Sequence, residues 1–183
     1  MNAEAVVTVV RRWVEDLVVG LELCPFAGRE LVRNRVRFAV TEAATEARLL
    51  QALESELALL NDNASIETTL LIHPNALQDF FAYNQFLDDA ECLLLQSGLE
   101  GVYQVASFHP NYRFAGTAAD DAENFTNRSP YPLLHILREA SLERSIAAYP
   151  DVDQIPARNI AKMNSLESTE LQLLLEDCFK NSK

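Results

Sequence analysis

Ile66-Glu-Thr-Thr-Leu-Leu-Ile-His73-Pro74-Asn75 is the stretch that decides how this chain folds. Its first half is β-branched and its second half continuously apolar, the composition of a strand covered on both faces. Pro74 stops it, and Asn75 with Gln78 three residues later offers a capping box for a helix. That helix carries Phe80, Phe81, Phe86, Leu87, Ala90 and Leu94 and ends near Gly98. A further strand is predicted over residues 102–108.

Working outward, residues 34–41 alternate polar and apolar and read as an earlier strand, with Arg35 and Arg37 on one solvated face, as suits a charged sheet edge. Thr41 offers an N-cap to a helix over residues 42–60, whose buried side is Leu49, Leu50, Leu53, Leu57 and Leu60. Strand, helix, strand, helix, strand follow one another, and each crossover is long enough for a right-handed parallel connection. The fold expected is α/β, a small mainly parallel sheet of about three or more strands flanked by helices. The alternative is a ferredoxin-like α+β sandwich, which needs one further short strand near residues 30–32 or 112–115.

Beyond this centre, Val6, Val10, Trp13, Val14, Leu17, Val18 and Leu21 predict an amphipathic helix over residues 4–22, stopped by Cys24-Pro25-Phe26. Ser129, with Pro130 in the first turn, is read as starting a helix that runs to about residue 148. Residues around 155–160 read as irregular and residues 166–180 as a terminal helix. The expectation is one domain over residues 1–165, with a peripheral C-terminal helix over 166–183.

A chain of 183 residues is long enough to bury about 70% of its unfolded surface in one core. Its net charge of −12 repels polyanions and argues against nucleic-acid and anionic-membrane partners. Every basic residue before Lys162 is arginine, whose planar fork suits carboxylates and phosphates. Cys24, Cys92 and Cys178 are odd in number and widely spaced, which fits neither a disulfide framework nor a thiolate zinc site. Charged residues interrupt the first apolar run, so no signal peptide is visible, and no uncharged stretch is long enough to span a bilayer. A reduced, cytoplasmic protein is expected.

The chemistry-bearing residues gather between Phe108 and Glu139. His73-Pro74-Asn75 and His109-Pro110-Asn111 are identical tripeptides that each close a predicted strand. Ligands of open α/β sheets bind outside the carboxyl ends of the strands, so both imidazoles are candidates for one site if the two strands are neighbours. Their bland reading is that each His-Pro ends its strand while the ring bonds to backbone. His73, His109, Asp120, Asp121 and His135 are weak candidates for a divalent metal, without the short spacing typical of zinc ligands. Thr126-Asn127-Arg128-Ser129 leads into the predicted helix start and is read as an anion site, with Arg113 in the same loop and Arg138 one turn from His135. Cys24, following a helix C-terminus, is read as a buried structural thiol.

Leu23-Cys-Pro-Phe-Ala27, His109-Pro-Asn-Tyr-Arg-Phe114, Thr126-Asn-Arg-Ser-Pro-Tyr-Pro132, Leu134-His-Ile-Leu-Arg-Glu139 and Ile155-Pro-Ala-Arg-Asn-Ile160 together resemble the bacterial domain-of-unknown-function family 1415. The resemblance covers nearly the whole chain and implies a single-domain bacterial cytoplasmic protein, with no established reaction, cofactor or catalytic residue. The function expected from the residues is therefore a small soluble enzyme acting on an anionic small molecule. His109 transfers protons, His73 is its companion, and Asp121 orients a histidine or holds a metal. Arg113, Asn127, Arg128, Ser129 and Arg138 grip the carboxylate or phosphate. The alternatives are a non-catalytic binding or interaction protein and a metal-dependent hydrolase; no cofactor is strongly implied.

Overall fold

The computed structural model describes residues 2–180. Its sheet has four strands, β1 (Val36–Val40), β2 (Thr68–Ile72), β3 (Tyr103–Phe108) and β4 (Leu133–Arg138), in the order β1-β2-β4-β3. β1 and β2 pair in parallel, and β4 lies antiparallel between β2 and β3. The result is an open mixed α/β sheet. One of its three pairings is parallel, which corrects the mainly parallel sheet expected.

β4 is the element the sequence reading missed. Leu133, Leu134, Ile136 and Leu137 fit a helical stripe as well as a buried strand, because a short apolar run carries no decisive period. The environment decides: β4 is central and covered on both faces, and Leu133, Leu134 and Ile136 have no exposed surface. The helix expected from Ser129 therefore begins only at Glu139, as the short Glu139–Ala147 segment. Residues 30–32 and 112–115, proposed as extra strands, are helical and loop respectively.

Among the described residues seven α-helices pack around the sheet: α1 (Ala3–Trp13), α2 (Ala27–Val32), α3 (Glu46–Asp62), α4 (Phe80–Gln96), α5 (Glu139–Ala147), α6 (Ile155–Asn164) and α7 (Ser168–Asp177). Successive residues of a strand face opposite ways, so Leu70, Ile72 and Leu133 join the core under α1, α6 and α7, while Leu71, Leu134 and Ile136 join that under α3 and α4. Thr45, not Thr41, caps α3 through Arg48 N–H, and Asp79, not Asn75, caps α4 through Ala82 N–H. β1 is an edge strand, and Arg37 makes a bidentate pair with Glu56 at 2.7 and 2.9 Å. Leu171 of α7, and Cys178 just past its end, are buried in the cluster that holds α1.

The first helix is not uniform. After Trp13 it widens into a π-helix over Val14–Val19, with Gly20 N–H bonding to the Glu15 carbonyl at 3.0 Å. A Cβ on Gly20 would lie 2.2 Å from the Asp16 carbonyl oxygen, so only glycine fits there. Glu22 then takes a left-handed backbone (φ 58°), uncommon for a non-glycine residue, and Leu23 N–H returns to the Val18 carbonyl at 2.9 Å. Together these turns fold Cys24 back against the helix end.

Candidate functional site

The two His-Pro-Asn tripeptides follow strands expected to be neighbours, but β4 lies between β2 and β3. β2 and β3 both run antiparallel to β4, so His73 and His109 follow strands that end at the same edge of the sheet. Each tripeptide forms a turn, closed by Ala76 N–H to His73 O at 3.3 Å and by Tyr112 N–H to His109 O at 3.0 Å. Proline at the second position of such a turn presets the needed φ.

Tyr83 of α4 packs between the two imidazoles, with ring centroids 5.8 Å from His73 and 5.0 Å from His109. Its hydroxyl donates to Leu133 O at 2.8 Å and accepts from Phe108 N–H at 3.0 Å, joining the end of β3 to the start of β4.

Both imidazoles have no exposed surface. Asn111 N–H donates to His109 Nδ1 at 3.0 Å, so the ring proton sits on Nε2 and donates to Leu77 O at 3.1 Å. His73 uses the opposite tautomer: Nδ1 donates to Ala76 O at 3.1 Å, and buried Nε2 has no partner among the described residues. Burial, aided by the neighbouring His109, pushes the His73 pKa down to about 4, and burial lowers that of His109 as well. As they stand, both rings are neutral and hydrogen-bonded to their own turns, and neither borders either of the two clefts described below.

The arginines of the long loop bond to backbone. Arg113 Nε donates to Thr117 O at 2.6 Å. Arg128 donates to the Tyr112 and Ala119 carbonyls and lies over the Phe125 ring at 4.3 Å. Asp121 accepts from Ala118 N–H at 2.7 Å, Asn127 donates to Ser107 O at 3.1 Å, and Ser129 donates to Tyr131 O at 2.7 Å. At the centre of the loop is buried Asn124, whose side chain binds Phe114 N–H, the Thr117 hydroxyl and Ala118 O. Residues 109–129 are thus a folded loop organised by its own polar groups.

His135 and Arg138 lie on a strand, not on one face of a helix, and their odd spacing sends them to opposite faces of the sheet. The Thr68 hydroxyl donates to Ile136 O at 2.6 Å, so His135 Nε2 donates to the Thr68 oxygen at 2.7 Å. Burial pushes its pKa down to about 4. Arg138 lies over Tyr103, bonds to its hydroxyl at 3.0 Å, and donates to the carbonyls of Leu60, Asn63 and Ile66, closing the C-terminus of α3. Among the described residues no group of three His, Cys, Asp or Glu side chains is placed to hold a metal ion, so His73, His109, Asp120 and His135 do not assemble as ligands.

The concave, chemically mixed surface lies elsewhere. A cleft of about 480 Å³ opens between residues 19–28 and residues 149–162. One wall is Val19, Leu21, Glu22, Cys24, Pro25 and Gly28; the other is Tyr149, Ile155, Arg158, Asn159 and Lys162. Asn159 Nδ2 donates to Leu23 O at 2.8 Å and ties the walls together. Phe26 meets the Tyr149 ring edge-on at 5.7 Å, and Arg158 lies over the same ring, also 5.7 Å from its centroid. Arg158 and Lys162 form no ion pair among the described residues. A second, more open cleft of about 430 Å³, at the start of α3, is lined by Ala44, Thr45, Glu46, Ala47 and Leu77 and carries no cation.

Cys24 is one of the residues lining the larger cleft. Burial raises its pKa, outweighing the N–H groups of Phe26 and Ala27 that favour the thiolate. The thiol is therefore protonated at neutral pH, but Cys24 is only half-buried and borders the cleft, which corrects the buried cysteine expected.

Residues 155–160, which form part of this cleft, read as irregular in the sequence. They form the first turns of α6, with Pro156 where a helix start tolerates proline. The available signal was the pair of motifs around Cys24 and Arg158, each rich in functional groups, together with the helical spacing of Arg158 and Lys162.

A family model described as a protein of unknown function (DUF1415) matches residues 5–173. No curated protein and no solved structure matches the chain.

Proposed function

The chain belongs to the DUF1415 family, whose description names no activity, and we propose from its own residues that it binds a small organic or inorganic anion in the cleft between Cys24 and Lys162. The observation that carries the reading is the pair Arg158 and Lys162, four residues apart on α6 and lining a cleft without an ion-pair partner among the described residues. Like charges at this spacing destabilise a helix by about 0.2–0.5 kcal/mol, a cost that a bound anion removes. The cleft volume falls in the range of roughly 300–1,000 Å³ common for small-molecule sites. Arg158 supplies a planar fork for two oxygens, and Lys162 a point charge one helical turn away.

The raised pKa of Cys24 favours binding over nucleophilic catalysis, since the thiolate is the reactive form. The test is a titration with inorganic phosphate and with acetate, followed residue by residue through amide NMR shifts. Saturable changes are expected in residues 149–162, and are expected to vanish in Arg158→Gln/Lys162→Gln. Changes centred on residues 109–129 would favour the histidine–arginine loop instead, and no saturable change would end the anion reading.

A further inference from the structure

We infer that the anion is the head of an amphipathic ligand, a phosphate or carboxylate carrying a compact aryl or acyl body. This rests on the anion-site reading above and names the ligand class. The two walls of the cleft differ in kind. Both cations stand on the 149–162 wall, while Val19, Leu21 and Pro25 give the 19–28 wall an apolar part beside Glu22 and Cys24. A ligand bridging the walls meets charge on one side and hydrocarbon on the other.

The single acid in the lining sharpens the orientation. Glu22 is exposed, belongs to the 19–28 wall, and is held by a left-handed backbone. It repels an anion placed on its own side and so favours a head group against Arg158 and Lys162. A bare inorganic anion uses only that half of the cleft. The volume of about 480 Å³ leaves room for a ring or short chain beside it. The Tyr149 ring lies under Arg158 on the cation wall, so the body is left to Val19, Leu21 and Pro25 across the cleft.

The experiment compares inorganic phosphate, phenyl phosphate and butyl phosphate by isothermal titration on the full chain. Phenyl phosphate is expected to bind at least tenfold more tightly than inorganic phosphate, a difference of about 1.4 kcal/mol. Leu21→Asn should abolish that gain while leaving inorganic phosphate unchanged, and Pro25→Ser, at an exposed position, reads the same gain if Leu21→Asn fails to fold. Glu22→Gln should tighten every ligand in the series. A gain below tenfold for both organic phosphates, with inorganic phosphate still bound, overturns the ligand class and leaves the anion site standing. A gain that survives the wall variants also overturns it, because the body then lies elsewhere. If none of the three binds, the anion site falls and this inference with it.

Discussion

Lowering the pH from 7.5 to 5.0 should destabilise this protein through its histidines, all three of which are held neutral by burial. His73 and His135 are pushed down to about 4 in the native state, against about 6.5 in the unfolded chain. A depressed native pKa means that the unfolded state binds protons first. Stability is therefore complete above about pH 6.5 and is lost as the pH falls towards 4. Each such histidine contributes about 1.4 kcal/mol per pH unit in that window, or roughly 2 kcal/mol between 6.5 and 5.0. Two of them give roughly 4 kcal/mol; His135 retains some accessible surface, so its share is the smaller. Ordinary carboxylates titrate near 4, so the step to pH 5.0 chiefly reads the histidines.

The assay is urea unfolding at both pH values, followed by the fluorescence of Trp13, the single tryptophan and almost fully buried. With a denaturant slope of about 2 kcal/mol per molar, the midpoint should fall by about 2 M. His73→Asn should show a shallower acid dependence, because asparagine cannot take up the proton. A midpoint that moves by less than about 0.5 M would refute the reasoning, and ring protons titrating near pH 6.5 in the native protein would refute it directly.

Two stability predictions follow from polar groups that the fold has placed at junctions. Tyr83→Phe removes one oxygen but leaves both Phe108 N–H and Leu133 O without their partner. It should cost about 2–4 kcal/mol in chemical denaturation, and a cost below about 0.5 kcal/mol would show that water replaces the hydroxyl. Arg138→Leu strips donors from three carbonyls around the end of α3. Thermal unfolding should drop by about 6–12 °C for a loss of about 3 kcal/mol; an unchanged midpoint with altered phosphate binding would instead return Arg138 to the anion site.

Local pattern was enough for much of this molecule. The alternation of residues 34–41, the buried run ending at His73 and the leucine stripe from Leu49 to Leu60 each specify an element through contacts within a few residues. The edge position of β1 was legible too, since arginines on one face of a strand suit a sheet margin. That His73 and His109 share a sheet edge also followed from pattern, because strands joined by helical crossovers run the same way. None of this required knowing which strand lies beside which.

Tertiary structure decided the rest. Leu133–Arg138 has no intrinsic commitment to helix or strand; it is a strand because β2 and β3 offer it hydrogen bonds on both sides. That insertion turned His135 and Arg138 to opposite faces and gave Arg138 the carbonyls of α3 as partners. The sequence supplies the same imidazole at 73 and 109, but only the folded surroundings assign opposite tautomers and bury both. The cleft likewise joins residues 19–28 to 149–162, segments more than a hundred positions apart. Side-chain chemistry is set residue by residue, whereas which groups meet, and which remain free to bind a ligand, depends on long-range packing that no local period encodes.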